Sequence, residues 1–106
     1  MPKYLITGSY TAEGLRGLQK DKASGRRQAV SEALSGVGGR LDAVYFALGE
    51  DDVYVIVDVP DHITAAALGI AVSARGLIRT KTTALLTVEE VDQALARTVA
   101  YRAPGG

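Results

Sequence analysis

The stretch from Val44 to Asp61 constrains the fold of this chain more than any other. It runs Val-Tyr-Phe-Ala-Leu-Gly-Glu-Asp-Asp-Val-Tyr-Val-Ile-Val-Asp-Val-Pro-Asp. β-Branched and aromatic residues favour strands, and Gly49 with three acidic residues suits a tight turn, so the segment predicts a hairpin. Strand alternation points Tyr45 and Ala47 one way and Val44, Phe46 and Leu48 the other. Val53, Val55, Val57 and Val59 likewise oppose Tyr54 and Ile56, and only Asp58 interrupts that second row. Both faces are therefore apolar. A sheet with helices on one side needs only one apolar face, so the pattern predicts a second cover.

The flanking segments supply the remaining elements. Residues 3–10 alternate as a strand, with Tyr4, Ile6 and Tyr10 on one face and Leu5, Thr7 and Ser9 on the other. Thr11 is a suitable N-cap for a helix, and Glu13 suits its positive end. A polar helical pattern runs to about residue 23. Ser24-Gly25 interrupts it, and Ser24 is placed to cap a fresh segment to about residue 36, where Gly36, Gly38 and Gly39 stop it. The hairpin strands are expected at 40–48 and 52–59. Pro60-Asp61 starts a helix over 62–75 that is apolar on most sides and expected to be well buried, ended by Gly76. A strand follows over 77–86. Thr87-Val88-Glu89-Glu90 forms a capping box for a last helix to about Thr98, and residues 99–106 read as a loose tail.

The order β-α-β-β-α-β-α is the split βαβ plan of ferredoxin-like α+β folds with an added C-terminal helix. It predicts one domain over residues 1–106. Its antiparallel four-stranded sheet has spatial order 4-1-3-2, with the Val-rich third strand inside and the Arg79/Lys81 strand at an edge. A second copy is the natural cover for the other face. Two such sheets packed face to face make a dimeric α+β barrel, so the expected partner is the chain itself, as a homodimer or higher multiple.

Composition narrows the function classes. Twelve basic and twelve acidic residues give a formal net charge of zero, which argues against nucleic acid as a partner. No apolar run is long enough to span a bilayer, no signal-peptide pattern opens the chain, and there is no cysteine, so a cytoplasmic location and no membrane partner are expected. His62 is the only histidine. No histidine pair, nucleophile triad or glycine-rich phosphate loop can be assembled, and no catalytic residue, metal site or cofactor is assigned.

Four groups of residues have chemical interest. His62, beside Asp61 and near Asp58, reads as a haem ligand or general base, or else as a solvent-facing residue of a first helical turn. Glu50-Asp51-Asp52 reads as a hard-cation site or, with too few ligands of its own, as a solvated turn. Arg16, Lys20, Lys22, Arg26 and Arg27 form a basic run on the first helix. Of these, Arg26 and Arg27 beside the Ser24 cap are placed to hold a phosphate or carboxylate. Thr7, Ser9, Tyr54, Asp58, Arg79 and Lys81 share the sheet face away from the helices. There they line a ligand pocket closed by the second copy, with Asp58 as counter-charge to Arg79 and Lys81, or form an inter-subunit polar network or charged edge.

The chain resembles the GYD-domain family of the dimeric α+β barrel superfamily. The resemblance rests on Tyr4-Leu5, Tyr10-Thr11, Gly14, Gly38-Gly39, Leu48-Gly49, Asp52, Pro60-Asp61, Gly76 and Arg79-Thr80-Lys81-Thr82. Two positions depart from the family pattern. Asp51 stands where the family's tyrosine is expected, and Ser24-Gly25-Arg26-Arg27 lacks a proline usual after the serine. The superfamily spans monooxygenases, isomerases and binding proteins, so the resemblance implies a fold more than a reaction. The function expected is binding of a small organic or anionic ligand in a dimer cavity, or service as an assembly unit. The alternatives are a cofactor-free monooxygenase or isomerase acting on an aromatic substrate, and a purely structural module.

Overall fold

Thr11, Asp61 and Thr87 each cap a helix through a side-chain oxygen, and these three caps divide the chain. Thr11 Oγ1 accepts from Gly14 N at 3.1 Å, Asp61 Oδ1 from Thr64 N at 2.8 Å, and Thr87 Oγ1 from Glu90 N at 3.1 Å. The computed structural model describes residues 1–106. Its elements are β1 (Lys3–Tyr10), α1 (Ala12–Gly36), β2 (Arg40–Phe46), β3 (Val53–Asp58), α2 (His62–Ser73), β4 (Ile78–Leu85) and α3 (Val88–Leu95). The antiparallel sheet has the order β2-β3-β1-β4, as expected of the ferredoxin-like plan.

The core lies between the sheet and the helices. Val53, Val55 and Val57 of the inner strand β3 point into it with Tyr4, and Leu34 of α1, Val59 and Ala65 of α2 close over them. Tyr54 and Ile56 point to the uncovered face, where Tyr54 lies opposite both Tyr45 and Thr7. A bulge between Leu41 and Ala43 places Leu41 beside Val57 in the core layer and Ala43 beside Ile56 on the open face. Two residues apart would otherwise share a face; the extra residue, Asp42, reverses that.

Three expectations are corrected. The hairpin strands end earlier than expected, at Phe46 and Asp58, and Leu48 is fully exposed in the turn. The first helix breaks at Lys22 (φ 67°, ψ 166°), not at Ser24-Gly25, so Ser24 lies within the second segment. That backbone region is almost reserved for glycine and costs a non-glycine residue about 1–3 kcal/mol. The kink redirects the segment that carries Arg26, Arg27 and Val30. Finally, α2 is not well buried. Only Ala65 is, while Ile63 and Ile70 face outward, because no layer lies above the helices.

No helix is long and apolar enough to cross a membrane.

Candidate functional site

The six residues singled out on the open face do share it, but they separate into two groups. Register places Thr7 between Tyr54 and Lys81, Ser9 beside Arg79, and Asp58 beside Lys3 and Arg40. Asp58 and Lys81 therefore sit four residues apart along β1, or about 13 Å. Asp58 and Lys81 each find ion-pair partners of their own. Asp58 is buried and meets Lys3 Nζ at 2.9 Å and Arg40 at 3.2 Å, while Lys3 also reaches Asp42 at 3.0 Å. Asp58 is thus not the counter-charge of Arg79 and Lys81. For Lys81 that role falls to Asp51, whose carboxylate lies 3.6 Å from Lys81 Nζ and accepts from Ser9 Oγ at 3.2 Å, while Arg79 makes no ion pair.

The acidic turn is accordingly less solvated than its composition suggests. Asp51 is largely withdrawn from solvent, and Asp52 Oδ2 accepts from the backbone N–H of Tyr10 at 2.8 Å. Asp52 N also donates to Gly8 O at 2.8 Å. The turn is therefore tied to the end of β1. Tandem carboxylates in a short loop give no sequence signal for this, since the partners lie about 40 residues away.

The Lys3–Asp58 pair sets a pH dependence. Lys3 and then Arg40 hold the Asp58 carboxyl below its ordinary value of 3.8, with burial opposing them. The Asp58 and Asp42 carboxylates raise Lys3 above 10.5. A depressed carboxyl contributes stability above its unfolded value that is lost as pH falls through the folded one. A raised lysine contributes stability below its unfolded value that is lost as pH rises through the folded one. The pair should therefore stabilise the fold between about pH 4 and pH 10. In urea melts, Asp58→Asn should be less stable than wild type at pH 7, and the gap should close below pH 4. A gap unchanged from pH 7 to pH 3 would show that the pair contributes nothing.

A partly open cavity of about 100 Å³ lies on the other side of the sheet, between it and the helices α1 and α2. Its walls are mostly apolar. Ile6, Val44, Phe46 and Val55 come from the sheet, Val30 from α1, and Leu68 and Val72 from α2. Gly8 opens the space at the sheet, because a Cβ there would come within 2.5 Å of Ile78 Cδ1. Four lining residues are polar or charged: Tyr10, Thr80, Arg26 and Arg27. Burial raises the pKa of the Tyr10 phenol, and the nearby Arg26 charge partly opposes that shift. Arg26 approaches Asp21 at 3.5 Å. Arg27 makes no ion pair. None of the six open-face residues lines this cavity.

Two of the arginines in the basic run thus flank an apolar space, near the start of the helical segment that follows the break at Lys22. The signal available in the sequence was the pair Arg26-Arg27 set one turn before Val30 on a helix whose apolar residues face inward. His62 lies exposed in the first turn of α2, beside its cap Asp61, and borders a second, open groove.

A four-stranded antiparallel sheet, two long helices on one face and an appended C-terminal helix define a ferredoxin-like α+β protein. Residues 4–95 match the GYD domain, and the chain belongs to that family. No curated protein and no solved structure matches it.

Proposed function

We propose that this GYD protein binds a small apolar acid, a short-chain or aromatic carboxylate, in the cavity beneath α1 and α2. The observation that carries this reading is an apolar chamber with two guanidinium side chains at its border. Apolar walls take up the body of a ligand, while Arg26 and Arg27 offer bidentate donors to a carboxylate. A volume near 100 Å³ is smaller than the dry cavity of about 150 Å³ that accommodates benzene, so it takes up a few carbons or part of a ring and leaves the carboxylate at the open mouth. The lining favours binding over proton-transfer chemistry. Its titratable groups are two guanidiniums and a phenol kept protonated by burial, and none of these is a base near neutral pH.

Calorimetric titration of benzoate and hexanoate against benzyl alcohol and hexanol tests this. Wild type should prefer each acid to its alcohol by about tenfold, equivalent to ~1.4 kcal/mol. The double substitution Arg26→Gln, Arg27→Gln should remove the preference. Val30→Phe, which fills the chamber, should abolish binding of both. Equal affinity for acid and alcohol, or no binding to wild type, defeats the proposal.

A separate observation favours a second role, as an assembly unit. The middle of the open face carries Leu5, Ile56, Tyr45 and Tyr54, with Tyr45 70% exposed, between the two charged groups. An apolar centre with a polar rim is the anatomy of a protein–protein interface. Pairing of this face with that of a second copy makes a homodimer. Sedimentation as a stable monomer at micromolar concentration would rule out this role.

A further inference from the structure

Every residue from Leu86 to Gly106 is exposed. Within this arm, α3 carries Val88, Val91 and Leu95 at helical spacing, 75%, 41% and 77% exposed, and Leu86, Val99 and Tyr101 extend the apolar surface. A helix with an apolar stripe needs a surface to bury it. The whole molecule shows the same deficit. Its radius of gyration is 16.9 Å and its long axis 57 Å, where a compact chain of this length has a radius near 13 Å. Its accessible surface is 7719 Å², about 2,000 Å² more than the ~5,700 Å² of a compact protein of its mass. A surplus of that size in each copy is what the subunits of an obligate dimer hide.

A matching surface exists on the same chain. An open groove of about 420 Å³ runs between α2 and the edge strand β4, on the helix side of the sheet. Its base includes Tyr4, Thr80 and Thr82, and its wall includes Ala65, Ala66 and Gly69. A Cβ on Gly69 would meet only Thr82 Oγ1, at 3.8 Å. Such small side chains let a second helix approach to the 8–10 Å of ordinary helix packing. Apart from His62, the lining holds no titratable group but the Tyr4 phenol, so an apolar stripe meets no charge that must be desolvated.

Within one copy the two surfaces stay apart. Only Leu86 and Thr87 separate β4 from α3. The capping box pins the start of that helix, with Thr87 N donating to Glu90 Oε1 at 2.8 Å and Glu90 N to Thr87 Oγ1 at 3.1 Å. The stripe stays exposed and the groove stays open. We infer that α3 of one copy docks in the α2–β4 groove of a second copy, and that the exchange is reciprocal. This contact lies on the opposite side of the sheet from the open face and does not depend on pairing there.

The absence of cysteine from the chain makes disulfide trapping a clean test. The full chain with Val91→Cys and Ala66→Cys should, under mild oxidation at micromolar concentration, convert mainly to a disulfide-linked dimer. Either single-cysteine chain should give several-fold less. A double-cysteine chain that oxidises within itself and runs as a monomer would place α3 in its own groove and overturn the inference. No disulfide above the single-cysteine level would also overturn it, even if the chain is dimeric through its open face. A second measurement uses Leu95→Glu in the arm and Gly69→Phe in the groove. Each should weaken self-association at least tenfold in sedimentation. Mixing the two should restore part of it, because one intact arm then meets one intact groove. Wild-type association by both variants would exclude the contact.

Discussion

Gly14→Ala is expected to destabilise the protein by about 3 kcal/mol or more, although alanine is the better helix former. Gly14 occupies the first turn of α1 and is buried. A Cβ there would overlap the carbonyl oxygen of Leu77 and stand 2.9 Å from its carbonyl carbon. That oxygen is committed, since Thr11 N donates to it at 2.9 Å and Thr11 Oγ1 at 3.2 Å. Relieving the overlap means moving backbone, either the start of α1 or the entry to β4. Both movements break the hydrogen bonds that join them. Gly17, one turn on in the same helix, has nothing within 4 Å of its Cβ position. Gly17→Ala should therefore stabilise by about 0.5–1 kcal/mol. Thermal or urea melts of the two variants should move in opposite directions. A Gly14→Ala protein as stable as wild type would show that the α1–β4 approach is not a fixed contact.

Gly14 also shows where the sequence was legible. Local chemistry could be read directly: the caps at Thr11, Asp61 and Thr87, the capping box, the glycine after α2, and the alternation of Val53, Val55 and Val57 against Tyr54 and Ile56. Each depends on residues within a few positions of one another, and together they yield the element order and the sheet order. What could not be read depends on partners far away in the chain. A glycine inside a helix reads as a weak helix former, and only the position of Leu77 makes it a contact. The bulge at Asp42 leaves no mark on the alternation of residues 40–46, yet it decides that Leu41 enters the core. Lys22 carries no sequence signal for a left-handed backbone. A glycine three residues later, at Gly25, drew the break to the wrong place.

The candidate site divides along the same line. Alternation correctly put Thr7, Ser9, Tyr54, Asp58, Arg79 and Lys81 on one face, because a strand's period is local. It could not say which charges meet. Asp58 interrupts an apolar row and Lys81 carries the opposite charge on the same face, but register sets them four residues apart along β1. Asp51 and Lys81, placed in separate groups by the sequence, are brought together by the turn, which is tied to the end of β1. The apolar cavity was less legible still. It is made by what the sheet and two helices leave unfilled, and an empty volume has no residue to announce it.

Leu34→Ala should be the most damaging substitution in the core, at about 3–5 kcal/mol. Leu34 has no exposed surface, a property it shares with only Val57 and Val59 among the large side chains. It is one of just two buried residues of the 25-residue helix α1, the other being Gly14. The helix is thus held at its two ends, with a kink between them. Leu34 also closes the chain reversal into β2, since its carbonyl accepts from Gly39 N at 2.8 Å and Val37 N at 3.1 Å. Truncating the side chain leaves a void against Val57 and Val59 that a rigid sheet cannot collapse to fill. With ten buried residues in the whole chain, little remains to compensate. A domain of this size loses about 4–8 °C of melting temperature per kcal/mol, so a fall of more than 10 °C is expected. Leu15→Ala, on an exposed part of the same helix, should cost about 1 kcal/mol or less. If the two leucines prove equivalent in calorimetric melts, the far end of α1 is not the anchor that this packing makes it.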